Sequence, residues 1–139
     1  MLSKPTLQQL VIAVVKELDA GAASASQMIG DVLLQVVEHV PGGGTLETGQ
    51  GYLVSDYPLT QHVLGAREPR TVSAADPGAD EAEARLLREL GYDSLLMLPV
   101  VVGEHVWGLM EVYATGRAFS RDDARSAQGV VAGVLGAVD

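Results

Sequence analysis

Residues 94–113 constrain this chain more than any other stretch. Residues 94–102 read Ser-Leu-Leu-Met-Leu-Pro-Val-Val-Val, and residues 105–113 read His-Val-Trp-Gly-Leu-Met-Glu-Val-Tyr. Gly103-Glu104 stands between them, glycine first, as a two-residue hairpin loop prefers. Two apolar runs about such a turn predict a β-hairpin in a core sheet, with Leu95, Met97, Val106, Leu109 and Met110 buried. Pro99 has no N–H to give a ladder, so a bulge or bend is expected there.

A second hairpin is predicted upstream, with residues 22–29 and 32–40 about Gly30-Asp31. Its second strand is apolar on both faces (Val32, Leu34, Val36 and Val40 against Leu33 and Val37), which suits a sheet covered on both sides. Leu7, Leu10, Val11, Val14, Val15 and Leu18 recur at helical spacing. Thr6 and Gln9 read as the capping box of that first helix, and Gly21 as its stop. Residues 41–56, opening on Pro-Gly-Gly-Gly, read as a flexible connection. No Gly-Lys-Ser/Thr follows those glycines to make a phosphate loop.

Residues 58–64 predict a short helix ended by Gly65, and residues 69–73 a short strand. A turn at residues 76–78 precedes a helix from residue 79 or 80 to Leu90, closed by Gly91. Ser120 and Asp123 form a capping box for the last helix, with Phe119 as its staple. Val130, Val131, Val134, Leu135 and Val138 give that helix an apolar stripe still running where the sequence stops, as expected of a domain cut from a longer protein. The order is α, β, β, α, β, α, β, β, α: an α/β fold of the α+β type, with a mostly antiparallel sheet of five to six strands and helices on both faces.

Composition narrows the function. At 139 residues the chain is long enough for one domain with its own core, and 47% hydrophobic residues make it a folded one. It has no cysteine, which removes disulfides, thiolate metal sites and cysteine nucleophiles. Its net charge of −9 repels phosphate backbones and anionic lipid, so neither nucleic acid nor membrane is an expected partner. No apolar run reaches the ~18 residues of a membrane span, and the first residues lack a signal-peptide pattern. The expected location is cytoplasmic. Arginine outnumbers lysine seven to two, a bias associated with GC-rich bacterial genes.

No catalytic set is legible. His39, His62 and His105 stand at no metal-ligand spacing, and no serine sits in a nucleophile elbow. Asp122 and Asp123 are adjacent at a helix start, where they serve the helix dipole rather than acid–base chemistry. The chain is therefore not expected to be an enzyme.

An ordered set of features in residues 57–135 resembles the GAF domain family. The set comprises Val63-Leu64, Glu68-Pro69-Arg70-Thr71-Val72, the Asp76 loop, Leu90-Gly91, Ser94-Leu95-Leu96-Met97-Leu98-Pro99-Val100, Trp107-Gly108-Leu109, and Phe119-Ser120 with Asp122-Asp123. The first third fits the family's opening helix and hairpin less closely. The resemblance implies a single GAF-like domain over residues 1–139. It also implies a sensory or regulatory role, of the kind joined to cyclic-di-GMP synthases, phosphodiesterases or histidine kinases, with a homodimer formed through the N- and C-terminal helices. Phytochrome-like members attach a bilin through cysteine, which this chain lacks. The cyclic-nucleotide signature Asn-Lys-Phe-Asp-Glu survives only as Phe119 and Asp123. No cofactor is identified, and a non-covalently held small molecule is the expectation.

The resemblance places a pocket between one sheet face and the segments 57–64 and 76–92. Candidate contacts are Tyr52, Tyr57 and Tyr92, each an apolar ring with a polar tip, and His62, the one histidine on the helix over that pocket. Ser94, Leu96, Met110 and Val112 are expected on its floor if the strand alternation is in register. Arg70 is expected at the surface, and Trp107 against a terminal helix. A different reading keeps the fold and drops the ligand: a degenerate domain used only to dimerise, its pocket filled by Met97, Met110 and tyrosine rings.

Overall fold

The computed structural model describes residues 2–46, 51–76 and 81–136. The elements run α1 (Lys4–Leu18), β1 (Ala22–Ile29), β2 (Val32–His39), β3 (Gly51–Leu53), a 3-10 turn (Val54–Asp56), α2 (Pro58–Ala66), β4 (Arg70–Ser73), α3 (Glu81–Leu90), β5 (Ser94–Val102), β6 (His105–Ala114) and α4 (Arg121–Gly136). The described strands form one six-stranded sheet in the order β3-β2-β1-β6-β5-β4, with antiparallel pairing throughout. The expected α+β architecture is what the chain adopts.

Each sheet face carries its own core. On one face, α1 and α4 cover Ala23, Ala25, Val37, Leu96, Leu98, Val100, Trp107, Met110 and Val112. The α1 stripe of Leu7, Leu10, Val11, Val14, Val15 and Leu18 is wholly buried there. On the other face, α2, α3 and the 3-10 turn cover Leu33, Leu95, Met97, Leu109 and Tyr113. β6 feeds both cores by the two-residue period of a strand.

Both hairpins have the predicted turns, with Gly30 at φ 61° and Gly103 at φ 62°. The bulge expected at Pro99 is elsewhere. Pro99 pairs in register with Leu109, and the register shifts between Val100 and Val101, so that Trp107 is the extra residue. β4 reaches along β5 only as far as the Arg70–Met97 pair. Pro99 therefore lies where β5 has no second neighbour, and its missing N–H breaks no ladder there. The bulge turns Trp107 toward α1 and α4, its expected side. A second bulge makes Val36 extra in β2, so Val36 and Val37 both join the α1/α4 face while Leu33 lies on the other. That accounts for a strand apolar on both faces.

Several helix ends differ from expectation. The cap of α1 is Ser3, whose hydroxyl accepts the Thr6 N–H at 3.2 Å, with Pro5 in the first turn. Thr6 is thus inside the helix. Asp19 (φ 50°) takes the left-handed position expected of Gly21, and Arg67 (φ 58°) does so in place of Gly65. Gly21 answers to space: a Cβ there would stand 3.0 Å from the Tyr92 ring. The capping box of α4 is as expected, with Ser120 N–H to Asp123 Oδ2 at 2.8 Å and Asp123 N–H to Ser120 Oγ at 3.1 Å. β3 and the 3-10 turn occupy part of the stretch expected to be a loop. The expected start of α3 at residue 79 or 80, most of the turn before it, and Val138 lie outside the described residues.

Candidate functional site

The face under α3 holds a cavity of about 160 Å³, more enclosed than two larger grooves beside α4. Ser26 of β1, Leu33 and Gln35 of β2, and Glu111 and Tyr113 of β6 supply its floor and sides. Tyr52 of β3, Tyr57 before α2, and Leu86 of α3 close around it. A shallower hollow of about 320 Å³, lined by Asp56, Tyr57, Ala82, Arg85, Leu86 and Glu89, adjoins it and shares Tyr57 and Leu86.

Glu111 organises the site. It lies in mid-strand, 4% exposed. The Tyr52 hydroxyl donates to its Oε1 at 2.8 Å and the Tyr113 hydroxyl to its Oε2 at 3.3 Å. Burial pushes the Glu111 carboxyl above the usual carboxylate range, and the two tyrosine hydrogen bonds only partly oppose it. Burial and the neighbouring Glu111 push both tyrosine hydroxyls well above their ordinary value, so they stay protonated donors. Tyr57 meets Tyr52 edge to face, with ring centroids 4.9 Å apart. A second buried carboxylate, Glu83 of α3, receives the Thr60 hydroxyl at 2.5 Å, and the same Thr60 oxygen lies 3.6 Å from Met97 Sδ.

The sequence-derived candidates divide. Tyr52 and Tyr57 line the cavity. Tyr92 stacks behind Tyr113, centroids 5.3 Å apart, and backs the site rather than lining it. His62 points outward from α2: its Nε2 accepts from Arg70 Nη2 at 2.7 Å and lies 3.9 Å from Glu68. The buried side of that short helix is Thr60, Val63 and Leu64. Leu96, Met110 and Val112 are on the opposite face, in the α1/α4 core, and the Ser94 hydroxyl donates to the Arg117 carbonyl. The floor was expected one residue out of step, and with a period of two that error exchanges the faces.

Glu111, Tyr113, Ser26, Gln35 and Leu86 were missed. One signal was available: Glu111 is the single charge within Trp-Gly-Leu-Met-Glu-Val-Tyr, and a carboxylate in a core strand needs a polar recess or partners. Among the described residues no group of three His, Asp or Glu side chains is placed to hold a metal ion. No described helix is long and apolar enough to cross a membrane.

An antiparallel sheet with one helix pair closing its back and helices over a recess on its front defines the class of small α+β domains with a sheet-floored pocket. The chain belongs to the GAF domain family, whose model matches residues 5–137. No curated protein matches it. Among solved structures it is similar to the phycocyanobilin-bound GAF domain of a cyanobacterial phytochrome (TM-score 0.81, 16% identity, covering 99% of this chain and 85% of that one). It is similar also to the cyanobacteriochrome receptor PixJ (0.73, 18%, 95% and 91%). A GAF domain/HD domain protein from Geobacter sulfurreducens is comparable (0.75, 14%, 97% and 91%). At these identities the likeness establishes the fold.

Proposed function

We propose that this chain is a sensory domain that binds a small molecule without covalent attachment and regulates a signalling output. The observation that carries this reading is the recess around Glu111: a cavity with convergent polar groups on a sheet face, the usual form of a binding site. Two of the similar structures are photoreceptor domains, which favours a sensory role. A bilin does not fit here. The chain has no cysteine to attach one, and a linear tetrapyrrole is far larger than a cavity of about 160 Å³.

Residues 1–139 act in this reading as one cytoplasmic domain. The output is a cyclase, phosphodiesterase or kinase domain, reached through α1 and α4. Those helices pack on the strand faces opposite the cavity, so β6 touches ligand site and output side together. A homodimer through α1 and α4 is supported by Ile12, 42% exposed on α1, and by the half-buried Val130, Val134 and Leu135.

A thermal-shift screen with nucleotides, haem, amino acids and small organic acids and amines tests the reading. A ligand raises the melting temperature with the logarithm of its concentration once that exceeds Kd, and Leu86→Trp, which fills the cavity, abolishes the rise. The scaffold alternative is favoured by the solid packing beneath α2, where Met97 fills the space expected for ligand. If no compound shifts the melting temperature while the chain dimerises, the scaffold reading replaces the sensory one.

A further inference from the structure

Accepting that the recess is a ligand site, we propose that its ligand is a small amine bound as the ammonium cation. Its charge faces the Glu111 carboxylate, and its carbon chain lies along the rings of Tyr52 and Tyr57.

Charge sets the class. Among the described residues of the cavity lining Glu111 is the one carboxyl, and none of them is Arg, Lys or His. Its hydrogen-bond partners, Tyr52 and Tyr113, are neutral donors. They orient the carboxyl but bring no positive charge, so burial favours its protonated form until a cation stands beside it, and an ammonium ion supplies the pairing a buried carboxylate needs. Among its described residues the adjoining hollow carries Asp56 and Glu89 against a single cation, Arg85. Burial and then four carboxylates, Glu83, Asp56, Glu111 and Glu89, raise the Tyr57 hydroxyl, so the approach to the cavity lies in a negative field. A carboxylate or phosphate ligand is repelled from such a site, and an ammonium is drawn in.

Shape sets the size and adds selectivity. A space of about 160 Å³ holds roughly five waters, which suits a ligand of fewer than about ten non-hydrogen atoms. Tyrosine rings attract a cation through their faces, and the edge-to-face pair Tyr52–Tyr57 walls one side. The Ser26 hydroxyl, also in the lining, is an oxygen acceptor for ammonium protons.

The test is an NMR titration of the whole chain with three probes of matched size: n-propylammonium, 1-propanol and propionate. Propylammonium should shift the amides of Ser26, Gln35, Tyr52 and Glu111 and saturate. Propanol should bind at least roughly tenfold more weakly, as expected for loss of a charge-assisted hydrogen bond, and propionate should not bind. Glu111→Gln keeps the side-chain volume and should weaken propylammonium by roughly tenfold to a hundredfold while amide dispersion elsewhere is unchanged. Tyr52→Phe keeps the ring and the charge and should retain cation selectivity. Equal binding of propanol or propionate, undiminished binding by Glu111→Gln, or no response to propylammonium overturns the amine assignment. In the wider screen an anionic or neutral ligand in this cavity leaves the sensory reading standing and removes only this one. A screen with no ligand of any class removes both.

Discussion

The Tyr52 hydroxyl reaches Glu111 Oε1 at 2.8 Å although their strands, β3 and β6, are not neighbours. Two strands, β2 and β1, lie between them. In a flat sheet that separation is roughly 14 Å. The bond therefore reports the curl of the sheet, to which the bulges at Val36 and Trp107 add twist. Tyr52→Phe removes the donor and leaves a buried carboxyl with one tyrosine partner fewer. The expected loss is about 1–3 kcal/mol of unfolding free energy, measured by urea denaturation.

Glu111 gives the domain a pH dependence of definite sign. The folded carboxyl holds its proton above the usual range because it is buried. The unfolded chain releases the same proton near about pH 4. Between those two values the folded state binds more protons, so stability falls as pH rises. Glu111→Gln cannot ionise. Its melting temperature should match the parent near about pH 4 and exceed it increasingly toward neutrality. A parallel pair of curves would remove Glu111 as the source.

Asp123 works in the opposite direction. Burial raises its carboxyl, but the Ser120 N–H, Arg117 and the Ser120 hydroxyl outweigh that and leave it lowered. Its contribution is present above the unfolded carboxylate value and is lost as pH falls through the folded one. Ser120→Ala takes away one side of the capping box. It should cost about 1 kcal/mol, read as a lower urea midpoint with unchanged slope.

Arg117 ties the two terminal helices together. Its guanidinium donates to the Leu18 carbonyl at the end of α1, at 2.7 Å, and to Asp123 at the start of α4, at 2.5 Å. It also lies 5.1 Å from the centre of the Phe119 ring. Arg117→Met keeps much of the apolar stem and removes both bonds. A loss of about 1–2 kcal/mol is expected, with faster amide exchange at the last turn of α1 than at its middle.

Gly108 admits no side chain. A Cβ built there would stand 1.9 Å from the Ser26 carbonyl oxygen, a backbone atom of β1. Gly108→Ala should cost about 3 kcal/mol or more, seen as a large drop in melting temperature. Gly21→Ala meets the edge of the Tyr92 ring at 3.0 Å and the Tyr113 carbonyl oxygen at an ordinary 3.4 Å, and should be much milder.

The hairpin at residues 94–113 was legible because apolar content and turn chemistry agreed about it. The order of its faces was not. Leu96, Met110 and Val112 are as apolar as Leu95, Met97 and Leu109, so composition could not say which set faced the helices and which the recess. Glu111 could have decided it. A carboxylate tolerates the side with a polar recess and not the side sealed by α1 and α4, and fixing that one residue fixes its whole strand. Tyr52 was found as a candidate although its strand was not, because β3 is three residues of Gly-Tyr-Leu after a glycine-rich stretch. Its pairing partner, β2, supplies what the local sequence lacks. His62 was misplaced by about one residue of helical rotation, a quantity that nine residues of helix do not define.

The contact between Gly108 and the Ser26 carbonyl has a consequence for how this recess can diversify. The seam between β1 and β6 is set by main-chain atoms, so it offers a random library almost no viable alternatives. Leu33, Gln35, Tyr57 and Leu86 line the same space from β2, from α3 and from the segment before α2, where side chains rather than backbone make the boundary. Selection for a new ligand should therefore accumulate its changes on that side and leave Gly108 untouched. One half of the recess is free to evolve because the other half is not.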